Sequence, residues 1–210
     1  MMEPEGRLVQ AGQIKVYCQE GGKGYPLICL HGGGPGACGW SNFRGNFAEL
    51  TKHYRTILMD LPQFGKSEKP MVEANWLAFS ARVLGNFMDA LGIERAHFIG
   101  NSMGGQVAIK LAIDNPGRVD RLVVIGSTPV KSTVFQPMPL EAIRNIVTYY
   151  QNEGPSLSKM RTLLHSLVYD GAFVTDELVE ERFQGSNDPD VVRLFTNYFQ
   201  IGRASCRERV

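Results

Sequence analysis

Between residues 95 and 115 a strand pattern runs straight into a glycine-framed serine and then into a helix pattern. Arg95–Gly100 (RAHFIG) reads as a strand, and Met103–Asn115 reads as a helix that Pro116 ends. Across the junction, Gly100-Asn101-Ser102-Met103-Gly104-Gly105 fits G-x-S-x-G. A strained strand-to-helix turn of this kind lifts a serine hydroxyl out above a sheet. Small neighbours let the backbone bend without a Cβ clash. The helix N-terminus then offers N–H groups and a partial positive charge to a developing oxyanion. A glycine-rich turn with an incidental serine is the plain alternative. The strand before it and the helix after it favour Ser102 as a nucleophile.

The rest of the first half repeats the alternation of strand and helix. Gln13–Glu20 alternates apolar and polar residues, and Pro26–Leu30 (PLICL) and Arg55–Asp60 (RTILMD) are short apolar runs. Asn75–Leu91 carries Trp76, Phe79, Val83, Phe87 and Leu91 on one side of a helix, a surface helix ends at His53, and Asp120–Gly126 reads as a strand. This order predicts an α/β fold with a mostly parallel sheet covered on both faces. After Gly126 the character changes. Ser127–Pro139 reads as a linker, and only helical patterns follow to Gln200. Ile143, Ile146, Val147 and Tyr150 form one stripe, and Leu157, Met160, Leu164 and Leu167 another. Thr175 suits a helix N-cap with Asp176 and Glu177 in the first turn, and Asp188-Pro189 opens a last helix through Phe199. The expected organisation is the first part of an α/β core over residues 1–128 and a helical lid over 129–200. The final ten residues, IGRASCRERV (201–210), carry no apolar period and are read as a non-native tail.

Composition narrows the function classes. The 210 residues carry Lys+Arg 22 against Asp+Glu 21, a balance that argues against nucleic acid as the main partner. No apolar run reaches membrane-spanning length, and the N-terminal MMEPEGRLVQ is no secretory leader. The four cysteines (Cys18, Cys29, Cys38, Cys206) form no CxxC and no metal-ligand spacing with histidine. No metal is therefore expected, and a reducing, cytoplasmic location is.

A second glycine cluster, His31-Gly32-Gly33-Gly34-Pro35-Gly36, follows PLICL. It has the form of the HGGG-type loop that supplies the other oxyanion N–H, with His31 as a structural residue of the loop. A rival reading sits in the same residues. Gly34, Gly36 and Gly39 match G-x-G-x-x-G, and Asp60 lies 21 residues after Gly39, where a dinucleotide site keeps its ribose acceptor. The three extra residues of the turn, a strand ahead of this one and the unexplained Ser102 motif weigh against it. Gly65-Lys66-Ser67 has no glycine at position 60 and is no phosphate loop. Arg182 falls between Leu178 and Val179, mid-way across the apolar face of its helix. An inward arginine calls for an anionic partner, such as a carboxylate substrate. Snorkelling, or pairing with Glu177 or Glu181, is the alternative.

At these residues the chain resembles the α/β-hydrolase superfamily and, more narrowly, the meta-cleavage product hydrolases, which cleave a C–C bond in 2-hydroxy-6-oxo-hexa-2,4-dienoates. The resemblance rests on LICLHGGGPGACGWSNFRGN, MDLPQFGKSEKP, MDALGIERAHFIGNSMGGQVAIKLA and VYDGAFVTDELVEERF, and spans most of residues 25–200. It implies Ser102 as nucleophile and the N–H groups of Gly33 and Met103 as oxyanion donors. It implies Asn42 and Asn101 as contacts of the dienoate, and Arg182 as the lid arginine at its 2-hydroxy/oxo-carboxylate end. It implies no cofactor, a small-molecule dienoate as partner, and a homodimer for the full-length form. Gln63 departs from the glycine usual in its turn.

A serine hydrolase also needs a histidine base oriented by an acid, in chain order serine, acid, histidine. The histidines here are His31, His53, His97 and His165, none at the base position that the resemblance implies. At one alternative acid position stands Gly126-Ser127-Thr128. The chain is therefore expected to be a C-terminally truncated, inactive form, with the strand edge at Leu122–Ile125 unpaired and prone to aggregate. An esterase-like serine hydrolase and a catalytically dead binding fragment are the alternatives. Phe135, Met138, Phe173 and Val174 are candidates for shaping the pocket at the 6-oxo substituent.

Overall fold

The computed structural model describes residues 3–72, 75–127 and 140–196. The linker residues 128–139, which include Phe135 and Met138, and residues 197–210, which include the tail, lie outside them. The described chain clusters into two units. One is Met1–Gly33 with Ala37–Val134, the other Gly34–Gly36 with Phe135–Val210.

The first unit is an α/β sheet. Strands β1 (Gly6–Ala11), β2 (Ile14–Gly21), β3 (Pro26–Leu30), β4 (Arg55–Met59), β5 (Ala96–Asn101) and β6 (Val119–Ile125) lie in the order β1-β2-β4-β3-β5-β6. β1 and β2 are antiparallel, as are β2 and β4, while β4, β3, β5 and β6 run parallel. β1 arises in the N-terminal segment read only as lacking a leader, because residues beyond Ala11 turn back through Gly12 (φ 67) to pair with it.

Helix α1 (Gly39–Leu50) buries Trp40, Phe43 and Phe47 against Leu27, Cys29 and Leu58. Cys38 caps it: its Sγ accepts from Ser41 N at 3.3 Å while Ser41 Oγ accepts from Cys38 N at 3.1 Å. α1 ends at Leu50, short of the expected His53, with Thr51 as C-cap. Since Leu27 and Cys29 face α1, Ile28 and Leu30 face the other way, and both are fully buried. Burial on both faces is what continuous apolar runs such as PLICL reflect. Helices α2 (Trp76–Ala90) and α3 (Met103–Asp114) pack on one another, and α3 packs on β5 and β6. Cys18 and Cys29 are buried strand residues, and burial pushes their thiols up to about 11 and about 12. Neither is a thiolate at neutral pH. Among the described residues β1 and β6 lie at the two edges of the sheet, and Val123, Val124 and Ile125 of β6 are exposed.

The second unit is helical: α4 (Leu140–Thr148), α5 (Leu157–His165), α6 (Asp176–Ser186) and a further helical segment over residues 189–196. Thr175 caps α6 through Leu178 N (3.1 Å), and Asp188 accepts from Asp190 N (2.8 Å) at the start of the last segment. Its core is Tyr149, Met160, Leu163, Leu164, Val174 and Val179. This shifts both expected stripes. Ile146 and Tyr150 pack against this core as expected, but on α4 Ile143 is exposed and Ala142 is buried, and Tyr149 just past the helix is buried too. The Tyr149 hydroxyl lies 2.7 Å from Ser186 Oγ, which draws that face inward. On α5, Leu157 and Leu167 are exposed and Leu163 is buried; α5 ends before Leu167. Val174 belongs to this core, and Phe173 is exposed. Among the described residues no helix is long and apolar enough to cross a membrane, and no three His, Cys, Asp or Glu side chains group as metal ligands.

Leu163→Ala should cost about 2–5 kcal/mol in urea unfolding, the range for emptying a buried leucine site. Leu167→Ala should stay within about 0.5 kcal/mol, as at exposed positions. Equal effects would contradict the packing described for α5.

Candidate active site

Both glycine clusters open from the carboxyl ends of neighbouring parallel strands. Leu30 of β3 pairs with Gly100 of β5, so the residues after each strand meet. In open α/β sheets that end is where ligands bind.

Ser102 has φ 49 and ψ −116 and is exposed. Its N–H donates to Ile125 O at 2.8 Å, and its carbonyl accepts from Ser127 Oγ at 2.6 Å and Gly105 N at 3.1 Å. The turn is therefore held by its backbone, and its side chain makes no capping bond. The glycines have a steric reason. A Cβ on Gly104 would lie 2.3 Å from Leu30 O, one on Gly100 2.5 Å from Gly105 Cα, and one on Gly105 2.0 Å from Ser127 Oγ. In the sequence Ser127 stands out only as part of Gly126-Ser127-Thr128, not as a support of the serine turn. A lone serine at a strand end carries no local signal of a partner 25 residues earlier.

The loop after β3 is pinned by side chains. His31 is fully buried; its Nε2 accepts from Leu61 N at 2.9 Å, so the ring is neutral and Nδ1 donates to Gly32 O at 2.8 Å. That carbonyl shares a trans peptide with the Gly33 N–H, which points the opposite way. Asn42 Oδ1 accepts from Gly32 N and from Asn101 Nδ2, both at 2.9 Å. Asn42 and Asn101 are thus brought together, and the Gly32 N–H is spent. A Cβ on Gly32 would lie 3.3 Å from Ser102 Cβ, and one on Gly33 3.1 Å from Met103 Sδ. Among the described residues, the N–H groups of Gly33 and Met103 take no part in the backbone hydrogen bonds that hold these turns. The sheet unit thus gathers Ser102, Gly33, Met103, Asn42 and Asn101.

Asp60 has a structural task, which overturns its reading as a ribose acceptor. It is buried, its Oδ1 accepts from Gly39 N at 2.7 Å and its Oδ2 from Lys66 N at 2.9 Å. The spacing that fits a dinucleotide site reflects a carboxylate tying the start of α1 to the turn after β4. Burial raises its pKa to about 6, against the lowering effect of the two N–H donors. Gln63 explains its own oddity: φ is 75, the left-handed region where glycine is usual. Its Nε2 compensates by donating to Pro70 O at 2.7 Å.

Two further histidines of the sheet unit face carboxylates. His53 Nε2 lies 3.5 Å from Glu49 Oε1. His97 Nδ1 lies 3.1 Å from Asp120 Oδ2, with its ring against Tyr25. A Cβ on Gly171 would lie 3.1 Å from the His165 ring. In the helical unit, Arg182 is buried and donates from Nε (3.1 Å) and Nη2 (2.8 Å) to Pro35 O. The sequence pointed to an anion for this guanidinium; these two donors serve a backbone carbonyl. A carbonyl partner leaves no trace in residue type, so sequence reasoning could not name it.

A family model described as the alpha/beta hydrolase fold matches residues 25–198. The chain belongs to the alpha/beta hydrolase fold family. Within it, the chain groups with meta-cleavage product hydrolases. It is 38% identical over 184 residues to a 2-hydroxy-6-oxononadienedioate/2-hydroxy-6-oxononatrienedioate hydrolase of Comamonas testosteroni, covering 87% of this chain and 64% of that protein. It is 37% identical to a 2-hydroxy-6-oxo-6-phenylhexa-2,4-dienoate hydrolase of Burkholderia cepacia, with the same coverage. Among solved structures, it resembles a meta-cleavage product hydrolase from Pseudomonas fluorescens IP01 (TM-score 0.81, 33% identity, 91% of this chain and 67% of that one). It also resembles a 2-hydroxy-6-oxo-6-phenylhexa-2,4-dienoate hydrolase from Rhodococcus sp. strain RHA1 (TM-score 0.82, 30% identity, 95% and 72%). The chain thus spans a little under two thirds of the length of those two curated relatives.

Ser102→Gly should unfold at higher urea than Ser102→Ala, by about 1 kcal/mol, because only glycine relieves the backbone strain. At an ordinary position the order is reversed. For Asp60, the folded pKa lies above the unfolded one, so the folded state holds the extra proton. Its contribution to stability is present below about 4 and lost as pH rises to about 6. Asp60→Asn should flatten the stability profile across that window.

Proposed function

We propose that this chain is the Ser102-bearing part of a hydrolase that cleaves a C–C bond in 2-hydroxy-6-oxo-hexa-2,4-dienoates formed in aromatic degradation. One observation carries the reading. Ser102 is held at φ 49 through its own N–H and C=O, which bond to Ile125 O, Ser127 Oγ and Gly105 N, beside a glycine loop whose Gly33 N–H, like that of Met103, stays outside the turn's own bonds. That is an acyl-transfer arrangement, and the names of the relatives supply the substrate class.

In the proposed reaction the dienol first becomes the keto tautomer, with a proton added at C5. Water, or Ser102 Oγ followed by water, then adds to the C6 carbonyl. The oxygen that gains charge is stabilised by the Gly33 and Met103 N–H groups. The C5–C6 bond breaks, its electron pair passing to the C5 side. The products are a 2-hydroxypenta-2,4-dienoate and a carboxylic acid, so one water is consumed. Asn42 and Asn101 contact the dienoate, and Arg182 draws electron density toward its oxo-carboxylate end. No cofactor enters this scheme, and the full-length form is proposed to act as a homodimer. The addition needs a base. Within the sheet unit, His31 Nε2 accepts from Leu61 N, His53 lies against Glu49 and His97 against Asp120, and none of these bonds reaches Ser102. Residues 1–210 alone are therefore proposed to bind the dienoate without releasing products.

The test is the visible absorbance of 2-hydroxy-6-oxo-6-phenylhexa-2,4-dienoate mixed with the protein. A saturable shift of the dienolate band is expected, without benzoate release. Arg182→Gln should weaken binding about tenfold or more, the worth of a charge-assisted bond. A band that does not change at saturating protein would sink the reading. Benzoate release abolished by Ser102→Ala would keep the activity and overturn the statement about the base.

A further inference from the structure

The oxyanion donors proposed above are backbone N–H groups, and a backbone N–H can be aimed only through the rest of its peptide. The Gly33 N–H lies in the Gly32–Gly33 peptide, whose carbonyl is taken by His31 Nδ1. The Met103 N–H lies in the Ser102–Met103 peptide, and there a side chain takes the carbonyl too. Ser102 O accepts from Ser127 Oγ at 2.6 Å, from Gly105 N at 3.1 Å and from Gln106 N at 3.3 Å. Two amides sharing one carbonyl are what the first turn of a helix commonly provides. The hydroxyl makes the shortest of the three bonds and comes from outside the helix.

Ser102 combines φ 49 with ψ −116, whereas the left-handed well lies at ψ of about +30 to +60°. Rotation about ψ is what turns the Ser102 carbonyl and, on the opposite edge of the same trans peptide, the Met103 N–H. The chain after β6 is shaped to reach that carbonyl. Ile125 O takes the Ser102 N–H, Gly126 turns the backbone at φ 56, and Ser127 comes back to the Ser102 C=O. Residues 125 and 127 thus bracket Ser102 on both of its backbone groups. Space is kept for the hydroxyl, since a Cβ on Gly105 would lie 2.0 Å from Ser127 Oγ. We propose that Ser127 is a positioning residue, whose hydroxyl holds ψ of Ser102 and so aims the Met103 N–H at the oxyanion. It acts through the peptide and leaves Ser102 Oγ out of the bond. The donor role rests on the reading of Met103 under the proposed function; the restraint on the peptide does not.

Ser-Met occurs once in the 210 residues, at 102–103. Serine labelled with 13C at the carbonyl, together with 15N-methionine, therefore gives the 210-residue chain a single carbon-coupled amide signal in NMR. That signal reads the Ser102 carbonyl and the Met103 N–H together. Ser127→Ala should move the carbonyl carbon to lower frequency, as loss of a hydrogen bond does, and shift the Met103 amide, with the Met59 and Met88 amides in place. Ser127→Thr, which keeps the hydroxyl, should restore both. Benzoate, a carboxylate of the product class, should shift the Met103 amide on titration. Ser127→Ala should weaken that binding about tenfold, the worth of one hydrogen bond to a charged group. A Ser102–Met103 signal that Ser127→Ala leaves unmoved would overturn the proposal. So would a carbonyl that moves while the Met103 amide and the benzoate affinity stay, because the bond would then aim nothing. So would Met59 and Met88 moving as far as Met103, which would make Ser127 a support of the whole sheet. Benzoate that leaves the native Met103 amide in place would count against the oxyanion reading alone, and the ligand-free spectra would still decide the restraint.

Discussion

At Gly104 the first turn of α3 passes the end of β3 so closely that a methyl group would sit 2.3 Å from the Leu30 carbonyl oxygen. That approach fixes where the serine turn and the glycine loop stand relative to one another. It follows from parallel pairing of β3 with β5 and from the absence of side chains at Gly100, Gly104 and Gly105. A larger residue at Gly104 would push α3 off the end of β3, and one at Gly100 would press on the backbone of Gly104 and Gly105. The strain at Ser102 belongs to the same constraint. Its N–H donates to Ile125 O and its C=O accepts from Ser127 Oγ and Gly105 N, which holds it in a conformation serine avoids when free.

Buried and half-buried polar groups then turn a permissive loop into a specific one. His31, Asn42 and Asp60 each hold backbone N–H or C=O groups of segments that would otherwise be free to rearrange. Buried His31 is paired on both ring nitrogens and buried Asp60 on both oxygens, as burial requires, and half-buried Asn42 accepts twice on Oδ1. Asp60 also shows what the arrangement costs. Its carboxyl is buried enough for desolvation to outweigh two N–H donors, so it ties α1 to the β4 turn at the expense of a raised pKa. Arg182 does in the helical unit what His31 does in the sheet unit, holding a loop carbonyl with nitrogen donors.

Much of this was legible in the residues. The strand-serine-helix succession and the HGGG run are local patterns, so motif and position coincide. The boundaries of β3, β4 and α3 agree with the sequence reading within a residue, since apolar runs and Pro116 mark them. The helical segment was less legible. Its stripes were drawn as though each helix were straight and complete, but α5 stops at His165 and the face is set by Tyr149 and Val174. Leu163 and Leu157 are equally apolar, and only their neighbours decide which is inside. Gln63 was visible as a departure, and its φ of 75 supplies the reason.

Sequence alone determined the order of strands and helices from β2 onward, the identity of Ser102 as the exposed residue of a tight turn, and the glycines that let it form. These are local matters of propensity, spacing and steric size. Tertiary structure decided which carbonyls Arg182 and His31 hold, that Asp60 is a clamp, and that Asn42 meets Asn101 across 59 residues of chain. Backbone acceptors are chemically identical at every position, so only packing distinguishes one from another.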